Sequence, residues 1–429
     1  KKEIRYWQRL TISACQLRLR SPTRTFRASS FIPKEAGKTA SQFSRIFQKH
    51  SNHTTLIPLS IFHDRGADLR FNTFLKIRFR VARPVPTDVL IYDRVGSQFI
   101  SRALSKDVRW AIFDVRRREI NVHPVALAYL PLFLYKKIIS KSFFWDQVGW
   151  RILFQMAEIK AINPKVVMSF IDNSRNFNMM SRIYSNAVFV GIQNGFRGIE
   201  VADLASHLCL PTLLCFGREV KDRYQREKCG VSRFVIGGSL KNSLYLEARK
   251  SQPSLKYDFC WVSQFRPARF GDTMPVLKHN SVMLLDFIQR YCRENGKTLC
   301  VACSCKERGF SFEYHFLLKT LTLPGVRLIP NDDNNFSSYK AIDQSRVTVT
   351  VNSTIGFEAL ARGNKVLFCN FSEDQYFDVP SGYADGPWAL RDSSQSYKKF
   401  SQALGALEGM DPREWIAQSK EMGQYFVAT

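Results

Sequence analysis

Residues 346–371 read RVTVTVNSTIGFEALARGNKVLFCNF, and this stretch decides the fold. A β-branched run, Val347 to Val351, stops at the polar Asn352-Ser353-Thr354. A short helical pattern follows from Gly356 to Ala361 and ends at Gly363, and a second apolar run covers Val366 to Phe371. Strand, helix and strand in so short a space form the βαβ unit of a parallel sheet. Ser353, Thr354, Gly356 and Glu358 stand at the strand-to-helix corner. Hydroxyls and free N–H groups at a helix N-terminus suit an anionic group such as a phosphate. A carboxylate one turn further in can accept hydrogen bonds from a sugar diol. Ser353 is followed three residues later by Gly356, so the spacing is not that of a capping box, and Glu358 is left to face a ligand. The corner predicts a nucleotide site and makes an enzyme the first hypothesis.

The same alternation runs in both directions. Upstream, strands are predicted at Val89–Tyr92, Trp110–Asp114, Lys165–Ile171, Val188–Gln193, Thr212–Phe216 and Phe234–Ile236. The helices between them are predicted at Ser97–Leu104, 124–140, 146–161, Phe177–Tyr184 and Glu219–Glu227. Residues 241–257 are polar, contain Pro253 and read as a linker. The pattern then restarts with strands at Phe259–Val262, Thr298–Ala302 and Val326–Ile329. Helices are predicted at Val282–Glu294, Phe312–Thr320 and Tyr339–Asp343, with two more at 395–408 and 412–424. The last of these opens on Asp411-Pro412, an N-cap followed by proline at N1. The fold class predicted is α/β: two doubly wound, Rossmann-like domains facing across a cleft. The boundaries are 1–83 for a basic N-terminal extension, 84–245 and 246–410 for the two domains, and 411–429 for a C-terminal helix.

The net charge of +26 is uneven: residues 1–83 hold 18 Lys/Arg against 4 Asp/Glu. A basic balance favours anionic partners, which here means nucleic acid, an acidic lipid surface or a phosphorylated substrate. The first 83 residues read as a loosely packed basic arm, a membrane-surface or nucleic-acid arm, or a transit-type peptide. The 45% apolar content supports sizeable cores. The ten cysteines are scattered, many inside apolar runs, which indicates free thiols in a reducing compartment rather than a disulfide framework. No run of about 18 uncharged apolar residues occurs, so no transmembrane helix is predicted. The longest apolar run, Val125 to Tyr135, suits either a core helix or a surface helix touching lipid headgroups.

In doubly wound sheets ligands bind at the carboxyl ends of the strands. Those ends carry Asp93-Arg94 with Gly96-Ser97, Asp114 with Arg116 to Arg118, Asp172-Asn173 and Asn194-Gly195-Phe196-Arg197 in the first domain. In the second they carry Ser263-Gln264 with Arg266, Ser304 with Lys306, Asn331-Asp332, and the Ser353-Thr354 corner. Asp93 and Asp172 are the candidate catalytic carboxylates, as general base or as nucleophile, and the plainer reading of each is an N-cap or loop turn. Arg266 and Lys306 could neutralise a donor phosphate. The segment Ile236-Gly237-Gly238-Ser239-Leu240-Lys241 reads as a cleft lining at the crossover or as a hinge.

Weaker signals carry little. Cys300, Cys303 and Cys305 have no second paired set, Asn331 to Asn334 is too loose for a calcium loop, and His50 and His53 sit in the irregular arm. His123, before Pro124, reads as an ordinary residue at the start of a helix. No metal and no cofactor is expected. P-loop, GxGxxG and GxSxG motifs are missing, which disfavours kinase-like, dinucleotide and serine-hydrolase chemistry.

Five stretches, DVLIYDRVGS (88–97), VVMSFIDN (166–173), IQNGFRG (192–198), IGGSLKN (236–242) and NSTIGFEAL (352–360), together resemble the GT-B glycosyltransferases of bacterial surface-polysaccharide assembly. They are similar to the "surface carbohydrate biosynthesis" group and, more distantly, to Kdo and CDP-glycerol transferases. The resemblance covers about residues 73–425. It implies that Ser353 and Thr354 hold a donor phosphate and Glu358 the ribose. It adds Asn194, Arg197 and Lys241 to the donor-binding set, with Ser239 standing where Kdo transferases carry Asn. It further implies an acceptor and catalytic role for the first domain and a nucleotide-sugar site in the second. The activity implied is metal-independent transfer from a nucleotide-activated sugar, with a CMP-linked acidic sugar such as Kdo as a reasonable donor, to a glycan or lipid-linked acceptor. The place implied is cytoplasmic, peripheral on the inner membrane face. Glycerol phosphate transfer from a CDP-linked donor is one alternative, and a non-catalytic basic nucleic-acid or membrane-surface protein is another. An RNA-binding signature is missing, which disfavours nucleic acid as the partner.

Overall fold

The computed structural model describes residues 56–57, 76–79, 85–115, 119–122, 124–140, 143–197, 207–249, 251, 253–265, 274–380 and 382–429. Most of the basic arm, together with His50, His53, Arg116 to Arg118, His123 and Arg266, lies outside them. Short strands β1 (Leu56–Ile57) and β2 (Lys76–Phe79) fall in the arm's range. β1 pairs antiparallel with β2, and β2 runs parallel to β5 (Glu119–Val122).

The first domain holds a six-stranded sheet. Its strands are β3 (Val89–Tyr92), β4 (Trp110–Phe113), β6 (Val166–Ser169), β7 (Val188–Ile192), β8 (Cys209–Cys215) and β9 (Gly230–Ile236). They lie in the order β4-β3-β6-β7-β8-β9, every pair parallel. Helices α1 (Ser97–Ala103), α2 (Pro124–Ile139), α3 (Phe143–Asp146), α4 (Trp150–Ile162), α5 (Arg175–Ile183) and α6 (Arg218–Arg226) connect them. β3 and β6 are buried along their whole length, as strands covered on both faces must be, so β3 reads as an unbroken apolar run and β6 as one up to the buried Ser169.

The second sheet consists of β10 (Tyr257–Val262), β11 (Leu299–Ala302), β12 (Arg327–Ile329), β13 (Ser345–Thr350), β14 (Lys365–Asn370) and β15 (Ala389–Arg391). Its order is β12-β11-β10-β13-β14-β15, again all parallel. Counted in chain order within the sheet this is 3-2-1-4-5-6, the doubly wound arrangement. Both sheets therefore reverse direction at one point, between β3 and β6 in the first and between β10 and β13 in the second. The two-domain α/β fold expected from the sequence is present, and it is GT-B-like.

Several elements differ from the sequence expectation. Residues 241–257 are not all linker: α7 (Leu240–Ala248) takes up the first half. Ser239 caps it by accepting from the Asn242 N–H at 3.3 Å. Its Leu240, Leu244 and Tyr245 pack in one buried group with Phe99 and Ile100 of the first domain and Phe336 and Tyr339 of the second. Apolar contact across the boundary makes this polar-looking stretch helical. The helix expected from Val282 begins earlier, as α8 (Pro275–Asn295) with proline in its first turn. The stretch 146–161 divides into α3 and α4, broken around Gly149, the N-cap of α4. β5 and β15 are short strands that the apolar pattern did not signal.

The remaining helices are α9 (Glu307–Thr320), α10 (Ser337–Asp343), α11 (Thr354–Ala361), α12 (Tyr397–Gly409) and α13 (Pro412–Phe426). α13 lies against α11, and Trp415 Nε1 donates to the Gly363 carbonyl at 3.0 Å. The chain end then returns to the first domain, where the Ala428 N–H donates to the Phe216 carbonyl at 2.9 Å.

Candidate active site

One cavity of about 1540 Å³ opens where the carboxyl ends of both sheets face each other. Asp93, Asn194, Arg197, Lys241, Lys306, Ser353, Thr354 and Glu358 all line it. Eight of the eleven residues proposed from the sequence are thus brought together from both domains. Arg266 lies outside the described residues. Asp172 and Gly356 are placed elsewhere.

Asp172 does not reach the cavity. It is fully buried, and its Oδ1 accepts from Arg197 Nη2 at 2.6 Å. Its Oδ2 is buried without a hydrogen-bond partner. The residue expected to do chemistry instead stands behind the cavity wall and fixes the arginine that lines it. Burial pulls the Arg197 pKa down, but Asp172 and Tyr224 together outweigh this through charge and hydrogen bonding, and the net shift is upward, so the guanidinium stays charged. Asn194 Oδ1 accepts from the same Nη2 at 3.3 Å.

Gly356 faces the sheet rather than a ligand. A Cβ there would stand 2.9 Å from both the Phe368 ring and Thr350 Cγ2. Its missing side chain serves the packing of α11 on β14.

Asp93 follows β3 and is 3% exposed, yet it borders the cavity. Its φ of 86° is left-handed, unusual for a residue other than glycine. Oδ1 accepts from the Val95 N–H at 3.0 Å, the Asx-turn expected as the plainer reading. Gly96, at φ 75°, closes the same turn, and a Cβ on it would meet the Phe170 ring at 2.2 Å. The turn holds Asp93 and α1 at the switch point of the first sheet.

At the second switch point, Gln264 Nε2 donates to Asn352 Oδ1 at 3.0 Å, and the Asn352 N–H returns a bond to Gln264 Oε1 at 3.2 Å. Ser353 is the N-cap of α11 but makes no side-chain capping bond. Thr354 Oγ1 accepts from the Phe196 N–H at 2.8 Å. Part of the Thr354 hydroxyl's capacity is therefore spent on a contact between domains.

Glu358 differs most from expectation. It is not left to face a ligand: Ser239 Oγ donates to one carboxylate oxygen, and the Tyr339 hydroxyl donates to the other at 2.6 Å. Burial raises its carboxyl above the ordinary range, and the two hydrogen bonds offset this in part. The residue joins the crossover segment to α11 at the cavity floor.

Lys241 and Lys306 meet on one carboxylate that the sequence reading did not single out. Asp333 Oδ1 lies 2.5 Å from Lys241 Nζ and Oδ2 lies 2.6 Å from Lys306 Nζ. Burial raises the Asp333 carboxyl, the two ammonium groups outweigh it, and the net shift is downward. The Lys241 ammonium also sits 5.4 Å from the Phe99 ring and 5.7 Å from that of Tyr339, which fixes its position from both domains. Behind Lys306, buried Glu313 holds the loop: it accepts from Ser263 Oγ at 2.5 Å and from the N–H groups of Ser304 and Cys305 at 3.0 and 2.9 Å. Tyr339 and Glu313 were missed because each lies inside a helix pattern, where nothing local marks it as facing a cleft, whereas Asp333 directly follows the strand-end pair Asn331-Asp332 and position alone could have found it.

The loop after β7 is anchored by stacking. The Phe196 ring lies 4.1 Å from that of Phe357, and Phe426 at the chain end closes on it at 5.7 Å. Arg197 is thus held by its own neighbours as well as by Asp172.

Solved structures with a similar chain path include UDP-GlcNAc 2-epimerases. That of Methanocaldococcus jannaschii, in complex with UDP-GlcNAc and UDP, is 10% identical with a TM-score of 0.49, covering 78% of this chain and 96% of that one. That of Neisseria meningitidis, bound to UDP-GlcNAc, is 11% identical with a TM-score of 0.48, covering 79% and 95%. An α,α-trehalose-phosphate synthase (UDP-forming) from Burkholderia vietnamiensis is 8% identical with a TM-score of 0.41, covering 80% and 94%. At such values the likeness bears on neither substrate nor mechanism. No curated protein matches the chain. The family described as "putative O-antigen biosynthesis protein" matches residues 190–422, more than half of the chain and all of the second sheet. The surface-polysaccharide resemblance drawn from the sequence agrees with that match: this chain, with its GT-B-like fold, belongs to that family of O-antigen biosynthesis proteins.

Proposed function

We propose that the chain is a glycosyltransferase that moves a sugar from a nucleotide-activated donor to a surface-polysaccharide or lipid-linked acceptor. The observation that carries this reading is the pair Lys241 and Lys306, fixed on Asp333 in a cavity that Ser353 and the N-terminus of α11 also line. Two ammonium groups, a hydroxyl and a helix N-terminus suit a phosphate that gains charge as its bond to the sugar breaks. The charge of the leaving phosphate is met by protein cations, so the reading asks for no metal and no cofactor.

In this reading the nucleotide lies against the second domain and the acceptor enters from the first. Asp93 takes the proton of the acceptor hydroxyl, whose oxygen attacks the anomeric carbon while the bond to the donor phosphate oxygen breaks. Arg197, held by Asp172, faces the sugar or its phosphate. A CMP-linked acidic sugar is the donor to try first. The enzyme works in the cytoplasm at the inner membrane face, where lipid-linked acceptors are found.

Incubating the purified chain with a panel of nucleotide sugars and reading released nucleotide by mass tests the proposal. Release from one donor, lost in Lys241→Ala, supports it. Turnover of none, with no nucleotide bound, sinks it.

A further inference from the structure

Helix α2 is wrong for a helix on the outside of a soluble domain. Val125, Leu132, Tyr135 and Ile139 form a stripe along it at helical spacing, and all four are exposed. Ile138 beside them is 81% exposed, and the surface continues through Phe143 at 68% and Trp150 at 60%. Only Ala126 and Phe133 of α2 are buried. A contiguous apolar face of this kind marks a surface that something covers.

We infer that this face docks on an anionic lipid bilayer. Three observations select that occupant. First, the charge at the rim is mainly positive: between Pro124 and Arg151 the sequence has four Lys/Arg and a single acid, Asp146. Arg182 adds a guanidinium 4.0 Å from the Phe144 ring. A second copy docking on the same face would bring these cations together, whereas an anionic surface neutralises them. Second, the side chains are those of a membrane interface, aromatic and aliphatic residues next to lysine. Third, the 16 residues of α2 span about 24 Å at 1.5 Å per residue, too short for a hydrocarbon core of about 30 Å. No described helix is long and apolar enough to cross a membrane. α2 therefore lies in the interface plane.

This inference gives the proposed transferase a place to work but does not depend on that reading, because none of these residues lines the cavity. The test uses the full chain with vesicles of phosphatidylcholine alone or with phosphatidylglycerol added, read by co-sedimentation and by Trp fluorescence. The wild type is expected to bind the anionic vesicles with a blue shift. The double variant Leu132→Glu/Ile139→Glu is expected to bind about tenfold or more weakly. Both positions are exposed, so the fold should tolerate the change, and an unaltered circular dichroism spectrum checks this. Binding that the double variant leaves intact would assign the lipid contact to the basic arm and overturn the inference. So would a wild type that ignores anionic vesicles, or one that dimerises in solution through this face and loses the dimer in the variant. Nucleotide binding measured without vesicles separates a failure here from a failure of the transferase reading.

Discussion

The Phe196 N–H donates to Thr354 Oγ1 at 2.8 Å, joining two residues 158 positions apart in the sequence. One lies in the loop after β7 of the first domain, the other at the start of α11 in the second. The bond ties the loop carrying Asn194 and Arg197 to the corner expected to hold a phosphate. Thr354→Val keeps the shape and removes the acceptor, leaving a part-buried N–H unpaired. The expected cost is about 1–3 kcal/mol of stability, with weaker nucleotide binding. Urea unfolding and calorimetric titration check the two effects, and Thr354→Ser should restore most of both.

Asp172 acts through Arg197. Removing one partner of a buried pair leaves the other charge uncompensated, so Asp172→Ala should cost about 3–5 kcal/mol. Turnover should fall as far in Asp172→Ala as in Arg197→Ala, and the double variant should be no worse than either single one. If the Asp172 variant lost far more turnover at equal stability, Asp172 would have a role beyond holding the arginine.

Asp333 competes with a donor phosphate for Lys241 and Lys306. Asp333→Asn should therefore raise affinity for nucleoside diphosphates by about threefold to tenfold, and the gain should shrink as salt rises. Titration with CDP and UDP at low and high salt measures it. Weaker binding in the variant would mean that Asp333 positions the lysines rather than opposing the ligand.

Glu358 makes stability depend on pH. Burial raises its folded pKa above the ordinary 4.5. The folded form thus holds the proton to a higher pH than the unfolded chain does. Its contribution is full below about 4.5 and is lost as pH rises through the folded value. Glu358→Gln keeps the size and a partner for Ser239 and Tyr339 but cannot ionise. The stability of Glu358→Gln relative to wild type should rise from acid toward neutral pH, measured as urea midpoints across that range.

The sheets were legible because parallel strands buried on both faces are mainly apolar or β-branched: β3 is VLIY, β6 opens VVM, β10 ends FCWV and β13 ends VTVT. The cavity was legible because sheets of this winding place their strand ends together, so Asp93, Asn194, Ser353 and Lys306 could be named from position alone. What escaped depends on contacts distant in sequence. Nothing near Glu358 tells that Ser239 and Tyr339 will take both its oxygens. Nothing near Asp172 tells that Arg197 will close over it. The polar look of 241–257 hid α7, whose helix is stabilised by Phe99 and Phe336 rather than by its own composition.

The central claim is that the cavity between the two sheets binds the phosphate of a nucleotide-activated donor. A crystal structure of the chain with CMP, UDP or GDP bound tests it most directly. The account predicts phosphate oxygens within hydrogen-bonding distance of Lys241 and Lys306, beside Ser353 and the first turn of α11. A nucleotide seated elsewhere, with Asp333 still bridging both lysines, would contradict it.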